Sequence, residues 1–228
     1  PDNDRVKLVY HGLDLSRFPP PMGDSLLDEE RDGSDMENPV RLITVGRAVA
    51  KKGIDNLLNA LAKLPDALHW QWTHIGGGEL HDSLVQQAKD LEIINHCNFL
   101  GSKSQQEVIA QYKASDIFVL PCRIDETGDR DGLPNVIVEA ESQRLPVITT
   151  PISGIPELIR DDGNGVFVQP DDPDELCAAI KSLAKDPKRR KRLGQEGEKN
   201  VREDFDHLST IGQLVDLLNN SLSKSRTS

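Results

Sequence analysis

The sequence predicts an α/β fold in which a doubly wound parallel sheet is covered by helices on both faces. From Val40 onward, short apolar runs alternate with amphipathic segments, and this alternation is typical of sheets built from strand–helix–strand units. Residues 117–120 are apolar throughout, as in a strand that is buried on both faces. The unusual glycine- and proline-rich loops follow predicted strands, where ligands bind in such folds.

Each predicted strand of the core is a short apolar run that stops at a turn signal. The first ends at Gly46, and the second ends at three consecutive glycines. The core strands are predicted over residues 41–45, 69–75, 98–100, 117–120, 146–150 and 165–168, and a further short strand over residues 6–10 precedes them.

The predicted helices follow from apolar residues that recur every three or four positions and therefore share one helix face. The first helix shows the pattern in Ile54, Leu57, Leu58, Leu61 and Leu64. The helices are predicted over residues 54–64, 79–91, 105–114, 135–143, 174–184, 189–202 and 207–218, and a stiff turn at 151–157 is expected to open one more short helix.

The composition indicates a globular protein and excludes several classes. The 228 residues are 36% hydrophobic and 29% charged, with a formal net charge of -11, which argues against a nucleic-acid or anionic-membrane surface spread over the whole domain. No apolar run reaches the roughly 18 residues that span a bilayer, so direct membrane insertion is not expected. The three cysteines, Cys97, Cys122 and Cys177, lack metal spacing and suggest no disulfide framework. We expect a cytoplasmic protein, whose full-length form could act at the cytoplasmic face of a membrane.

The chain divides into three predicted parts. Residues 1–39 contain three consecutive prolines and a polar, acidic run, and we expect a linker remnant that is partly flexible. Residues 40–220 are predicted to form one Rossmann-like domain, and residues 221–228 a frayed polar tail. Because the chain begins at Pro1 and not at methionine, we expect it to be part of a longer protein.

The stretch 131–139 carries most of the functional information. Two carboxylates, Asp131 and Glu139, stand eight positions apart across a glycine- and proline-containing turn that enters an apolar helix. At the helix start, Asn135 and Val136 are expected to present free backbone N–H groups, which bind phosphate well. Two acids around a phosphate cradle suit a sugar nucleotide. The alternative is an ordinary acid before a helix, followed by a solvated glutamate.

The loop 46–53 (GRAVAKKG) supplies the matching positive charge. Arg47 and Lys52 are five positions apart in a loop bracketed by glycines. Both can reach one diphosphate, the arginine as a planar fork and the lysine as a point charge. The loop has neither the Walker nor the GxGxxG pattern. Surface cations without a ligand are the alternative.

Other polar residues give weaker signals. The glycines at 76–78 allow close approach of a ligand or simply make a tight turn, and the loop at 101–103 follows the third core strand. The histidines lack metal spacing and are expected to be structural. The cationic run 188–192 is expected to be a solvated helix face. No metal site is predicted.

Taken together and in order, these segments resemble the carboxyl-terminal half of retaining family-four glycosyltransferases, which have the two-lobed GT-B architecture. The resemblance covers most of residues 40–180, and residues 11–18, HGLDLSRF, resemble the linker between the two lobes. The matching segments are VGRAVAKKGIDNLLNAL, IGGGEL, FLGSKSQQEV, ASDIFVLPC, DGLPNVIVEA, PVITTPISGIPELI and DGNGVFVQPDDPDELCAAI.

The resemblance implies a role for each matching residue. Arg47 and Lys52 correspond to the basic pair on the donor diphosphate. Asp131 stands at the first acid of the family's E-x7-E motif, beside the donor sugar, and Glu139 stands at the second, on the ribose hydroxyls. The implied catalytic set is Asp131, Arg47 and Lys52. The implied donor-binding set is Gly46, Arg47, Lys52, Gly77, Gly78, Ser102, Lys103, Asp131, Gly132, Leu133, Pro134, Asn135, Val136 and Glu139, with Ser102 and Lys103 near the base.

Three features depart from the family pattern. Asp131 replaces the usual glutamate, and its side chain is shorter by one methylene. Arg144 replaces a small residue, usually glycine, and would be strained by roughly a kcal/mol if that position needs a positive φ. The loop 123–130 (RIDETGDR) is longer and more charged than the family minimum, so we expect it to influence the choice of donor or acceptor.

The sequence therefore predicts the donor-binding half of a retaining glycosyltransferase. Such an enzyme moves a hexose-type sugar from a nucleoside-diphosphate sugar to an acceptor that is bound by an absent amino-terminal lobe. No metal or cofactor is expected to be required, no nucleic acid is expected as a partner, and the fragment alone is expected to be inactive. The alternatives are a non-catalytic nucleotide-sugar-binding module and another GT-B enzyme, such as a sugar-nucleotide epimerase or a phosphorylase.

Overall fold

A computed structural model describes Lys7, Val9, residues 12–21 and residues 31–225, with side chains described up to residue 219. The strand predicted over residues 6–10 lies, apart from Lys7 and Val9, outside this part of the chain, as do residues 22–30 and 226–228.

One parallel sheet forms the centre of the domain. Its strands lie in the order β3-β2-β1-β4-β5-β6, and every neighbouring pair is parallel. The chain therefore builds outward from β1 to β3 and then returns to the other side of β1 with β4, which confirms the predicted doubly wound fold. The strands are β1 Val40–Val45, β2 Trp70–Ile75, β3 Cys97–Phe99, β4 Ile117–Leu120, β5 Val147–Thr149 and β6 Gly165–Phe167.

Eight α-helices of the described chain connect and flank these strands. The predicted helices are present, and α7 begins two residues before its predicted start because Pro187 occupies the first turn while Asp186 caps the Arg189 N–H at 2.9 Å. The helices are α1 Ile54–Leu61, α2 His81–Asp90, α3 Gln105–Lys113, α4 Asn135–Ser142, α5 Ile155–Leu158, α6 Pro173–Ala184, α7 Pro187–Asp204 and α8 His207–Ser225. Helix α8 thus continues into the predicted tail. Among the residues that the structure describes, no helix is long and apolar enough to cross a bilayer.

The sheet has two buried faces because alternate residues of each strand point to opposite sides. In β1, Leu42 packs with the cluster that contains Trp72 and helices α1, α2 and α6. Its neighbour Ile43 packs with the second cluster, which contains Tyr112 and residues of α4, α5 and α7. Burial on both faces explains why β4 is apolar at every position.

The segment predicted as a linker contacts the domain over its described parts. Leu15 and Phe18 are buried, and the Leu13 N–H donates to the Phe205 carbonyl at 2.8 Å. Further along, Arg31 forms an ion pair with the buried Asp116 at 3.0 Å. Residues before the predicted boundary at 39/40 therefore contribute to packing of the fold.

Arg144 adopts a positive φ, the conformation in which the sequence analysis expects an arginine to be strained. Its φ is 63°, in the left-handed region that disfavours residues with a Cβ by roughly 1–2 kcal/mol. The guanidinium forms an ion pair with Glu198 of α7, and Arg202 binds the same carboxylate at 2.7 Å. The arginine thus ties the turn after α4 to α7, an interaction that glycine lacks.

Candidate functional site

The loops that follow β1 and β4 meet at the carboxyl edge of the sheet. A tight turn, Ala50–Lys52, ends at Gly53, whose φ is 63°. A side chain at Gly53 would overlap the Pro121 carbonyl, so glycine permits this turn to rest on the chain leaving β4. The Arg123 N–H also donates to the Lys51 carbonyl at 2.9 Å, and its guanidinium donates to the Ala50 carbonyl at 2.9 Å. These contacts place both lysines beside the predicted acidic loop.

Lys52 and Asp131 form the central charge pair of this edge. The Lys52 ammonium lies 2.8 Å from the Asp131 carboxylate, and the two side chains are 11% and 20% exposed. Lys51 lies 3.4 Å from Asp131 and 3.0 Å from Asp129. A hydrogen bond from Lys51 to Asp129, with the charges of both aspartates, raises the pKa of Lys51. Lys51 was not predicted as a site residue.

Arg47 lies on a backbone ridge formed by two glycine-rich loops. The Ala48 N–H donates to the Gly77 carbonyl at 2.9 Å, and a side chain at Gly78 would lie 2.8 Å from the Ala48 nitrogen. The loops after β1 and β2 therefore contact each other through backbone, as close approach requires. The Arg47 side chain is exposed, and the described residues offer it no hydrogen bond or ion pair. It is available to a ligand.

His74 contacts the backbone of the loop after β1 from the buried side. Its ring nitrogen Nε2 lies 3.0 Å from the Gly46 carbonyl, and the side chain is fully buried. Burial lowers the pKa of His74, so the neutral ring donates from Nε2. This buried contact agrees with the expectation that the histidines are structural.

The start of α4 presents unpaired backbone donors. Pro134 occupies the capping position, and no side chain of the described residues caps the helix. Within the same part of the chain, the N–H groups of Asn135 and Val136 have no acceptor, as the sequence predicted. The preceding turn is held in place because the Gly154 N–H donates to the Gly132 carbonyl at 3.0 Å. Free amides at a helix start favour an anion.

Glu139 lies one to two turns further along α4 and is half-buried. The hydroxyl of the buried Tyr112 donates to Glu139 Oε2 at 3.1 Å. Burial raises the pKa of Glu139, while the Tyr112 hydrogen bond and the positive charge of Arg17 oppose that rise. Arg17 also donates to Gln105. The alternative of a fully solvated glutamate is therefore wrong, and Tyr112 is a partner that the sequence analysis missed.

Replacing Tyr112 by phenylalanine is expected to raise the pKa of Glu139 further, because the mutation removes the hydroxyl that stabilises the carboxylate. The ring keeps its buried position, so the loss of stability should be only about 1 kcal/mol. A carbon-13 NMR titration of the Glu139 carboxyl carbon measures the change. An unchanged titration midpoint in Tyr112→Phe would contradict the assigned hydrogen bond.

Ser102 and Lys103 are exposed in the loop after β3. Ser102 borders the ridge, since a side chain at Gly77 would lie 3.5 Å from its hydroxyl. Lys103 instead pairs with Glu107 at 3.3 Å. Ser104 caps α3 and, with Lys103, lowers the pKa of Glu107 to about 2. Ser102 thus borders the predicted site, whereas the Lys103 ammonium pairs with Glu107 in the first turn of α3.

Two further predicted residues, Gly46 and Leu133, pack beside the charge pair and the turn before α4. Gly46 lies under the Lys52 side chain, whose Cε would be 3.4 Å from a Cβ added at Gly46. Leu133 packs into the second cluster below the turn. In the described part of the chain, no group of three His, Cys, Asp or Glu side chains is placed to hold a metal ion. The chemistry available here is cation and amide binding of an anion, flanked by carboxylates.

The parallel sheet with helices on both faces is Rossmann-like, and the Lys52–Asp131 pair and the uncapped start of α4 lie at the edge where the strand order reverses between β1 and β4. Residues 28–200 match the family described as glycosyl transferases group 1. The chain belongs to this family, which confirms the resemblance derived from its motifs.

Two curated relatives illustrate the family. The chain is 30% identical over 212 residues to a GDP-mannose-dependent alpha-(1-6)-phosphatidylinositol monomannoside mannosyltransferase of Mycolicibacterium smegmatis, covering 91% of this chain and 54% of the relative. It is 28% identical to the amylovoran biosynthesis glycosyltransferase AmsK of Erwinia amylovora, covering 79% of this chain and 42% of the relative. The chain spans about half the length of the curated relatives it matches.

Solved structures share the fold at lower identity. The crystal structure of Anabaena HepE in complex with UDP has a TM-score of 0.79 and 22% identity, covering 94% of this chain and 57% of that one. The C-terminal domain of a glycosyl transferase group 1 family protein from Francisella tularensis has a TM-score of 0.68 and 24% identity, covering 86% of this chain and 99% of that one. The fold is thus that of GT-B glycosyltransferase lobes.

Proposed function

We propose that this chain binds a nucleoside-diphosphate sugar and is the donor-binding half of a retaining glycosyltransferase. One observation carries the proposal: the Lys52 ammonium lies 2.8 Å from the carboxylate of Asp131, and Asp131 stands in the turn that leads into the uncapped start of α4. Cation, carboxylate and free amides therefore belong to one edge of the sheet. The cation and the free amides bind a diphosphate, and the carboxylate accepts hydrogen bonds from sugar hydroxyls.

The leaving group in this proposal is the nucleoside diphosphate. Negative charge grows on it as the bond to the sugar breaks, and preorganised cations and amides stabilise such charge without a metal. Lys52 provides a largely buried ammonium, Arg47 an exposed guanidinium, and α4 its first N–H groups. Glu139 is held by Tyr112 at 3.1 Å, and we assign it to the ribose hydroxyls. No cofactor is required in this scheme.

Asp131 is assigned as a donor-positioning residue. The proposed reaction takes place on one face of the sugar, so that configuration is retained without a covalent bond to the enzyme. The Asp131 carboxylate is held by two lysines at 2.8 and 3.4 Å, which reduces its nucleophilicity but leaves it able to accept hydrogen bonds from sugar hydroxyls.

The acceptor is assigned to a second lobe of a full-length protein. The chain spans about half the length of its relatives, and α8 carries a row of exposed apolar side chains that a neighbouring lobe would cover. These residues are Leu208, Ile211, Leu214, Val215 and Leu218, each 47% to 69% exposed. On this proposal the chain alone binds donor but transfers little or no sugar.

Two donors should be tested first. The Mycolicibacterium smegmatis relative is named as GDP-mannose-dependent, and a structural relative was solved with UDP-glucose. A thermal-shift panel should therefore contain GDP and UDP with their sugars, and ADP with its sugar as a third nucleotide for comparison. At a hundredfold excess over Kd, a ligand stabilises the folded chain by about 2.7 kcal/mol, which is a measurable rise in melting temperature.

Arg47→Ala and Glu139→Ala are each expected to remove most of the thermal shift while leaving the fold intact, because each deletes one predicted contact to the donor. Lys63→Ala and Glu196→Ala are matched controls on the outer surface, where Lys63 pairs with the exposed Asp174. If both site variants respond to the donor as the parent does, the proposed site is wrong.

A further inference from the structure

The phosphate-binding lysine already has an anionic partner within the chain itself. Lys52 is in contact with Asp131 at 2.8 Å, and Lys51 contacts both Asp131 and Asp129, at 3.4 and 3.0 Å. Two ammonium groups therefore face two carboxylates, and their charges balance. A diphosphate that enters this cluster adds negative charge and must compete with Asp131 for the Lys52 ammonium.

The competition is strong because the pair is poorly solvated. Only 11% of the Lys52 side chain and 20% of the Asp131 side chain are exposed, so water screens their attraction less than at an open surface. Once a phosphate oxygen takes Lys52, an Asp131 carboxylate that stayed in place would face another anion at close range. Asp131 must then find its partner elsewhere.

Lys51 is placed to be that partner. Its ammonium already contacts Asp131, and its backbone is fixed by Arg123, which binds the carbonyls of both Ala50 and Lys51. The Arg123 guanidinium is itself held by Asp55 and Asp171 at 3.0 and 2.9 Å. The position of the Lys51 backbone is therefore fixed by Arg123 and does not depend on a bound diphosphate.

We infer that Asp131 is an internal competitor of the donor diphosphate, and that Lys51 is a positioning residue that retains Asp131 when the diphosphate takes Lys52. This inference rests on the proposed function and adds a source of selectivity to it. A bare nucleoside diphosphate displaces Asp131 from Lys52 but has no sugar hydroxyl to donate to the freed carboxylate. A sugar nucleotide displaces it and then offers hydroxyls to the freed carboxylate. The site therefore favours the intact donor over the diphosphate product.

The first test compares Asp131→Asn with the parent by isothermal titration calorimetry, using GDP, UDP, GDP-mannose and UDP-glucose. Asp131→Asn is expected to bind the bare diphosphate about tenfold more tightly, equivalent to about 1.4 kcal/mol, and to lose the preference for the sugar nucleotide. Equal or weaker diphosphate binding by Asp131→Asn would overturn the inference.

Asp129→Asn is the matched control for charge. It removes the same unit of charge from the same cluster, but Asp129 pairs with Lys51 and is 57% exposed. Its effect on diphosphate affinity should stay under about twofold, as for an exposed ion pair. If Asp129→Asn tightens binding as much as Asp131→Asn does, the effect is a general change of charge and the competition is wrong.

The role of Lys51 is tested by a double-mutant cycle. Lys51→Met is expected to weaken diphosphate binding several-fold, because Asp131 is then left to Lys52 alone. The double variant Lys51→Met/Asp131→Asn should bind the diphosphate as tightly as the single variant Asp131→Asn does. A loss that persists in the double variant would make Lys51 a direct phosphate ligand and overturn its positioning role.

If the parent binds no nucleotide, the proposed function and this inference fail together. If the parent binds and only the cycle fails, the proposed function stands.

Discussion

Replacing Lys52 by methionine is expected to weaken nucleoside-diphosphate binding by about a hundredfold, or 2.7 kcal/mol. The residue is 8% exposed, and its aliphatic part lies against Gly46, so methionine of similar length keeps the packing. What is lost is the ammonium. The mutation also leaves Asp131 with Lys51 alone, at 3.4 Å, so that a carboxylate with less compensation faces the incoming diphosphate. Removing one partner of a poorly solvated charge pair typically costs several kcal/mol of binding.

The measurement is a calorimetric titration with the nucleotide that gives the largest thermal shift. Lys63→Met is the matched control, because Lys63 also forms an ion pair, with Asp174 at 2.6 Å, but on the exposed outer surface. This control should bind like the parent, and the far-ultraviolet circular dichroism of both variants should match that of the parent. Binding by Lys52→Met within threefold of the parent would remove Lys52 from the site.

The fold was predictable because each strand and helix has a local sequence pattern. The uninterrupted apolar run of β4 predicts a strand that is buried on both faces. The sheet order confirms this, because it places β4 beside β1 in the centre of the sheet. The ends of elements were less predictable. Helix α1 stops at Leu61, short of the predicted residue 64, although Leu64 is buried in the same cluster. Apolar spacing records which residues pack and does not record where the helical hydrogen bonds end.

The site was predictable in its residue types but not in its pairings. Lys51 and Lys52 are identical neighbours in sequence, and no local rule says which of them lies closer to Asp131. The answer depends on a turn that rests on the Pro121 backbone through Gly53, a contact between residues far apart in the sequence. The Tyr112 hydroxyl on Glu139 joins α3 to α4 in the same way. Such long-range contacts follow from tertiary packing, which a single sequence does not display.

Gly194→Ala is expected to destabilise the fold by about 2–4 kcal/mol, against the ordinary preference of helices for alanine by about 1 kcal/mol. Gly194 lies inside α7, where that helix crosses the turn after α4. An added Cβ would overlap the Arg144 carbonyl oxygen and lie 2.8 Å from its carbonyl carbon. Backbone cannot move aside as a flexible side chain can. Arg144 is itself fixed by its positive φ and by its ion pair with Glu198, so the turn has little freedom to retreat.

Gly212→Ala isolates the helical preference from the overlap. Gly212 lies inside α8, and an added Cβ there would meet no atom of the described residues within 4 Å, so alanine should stabilise the fold or leave it unchanged. Urea unfolding of the two variants measures the difference between them, which should reach about 3 kcal/mol with unchanged slope. If Gly194→Ala is as stable as Gly212→Ala, α7 does not approach the Arg144 carbonyl as closely as the structure places it. The same outcome would mean that α4 is held less firmly at its carboxyl end, because this crossing fixes that end of the helix whose amino end is the proposed anion site.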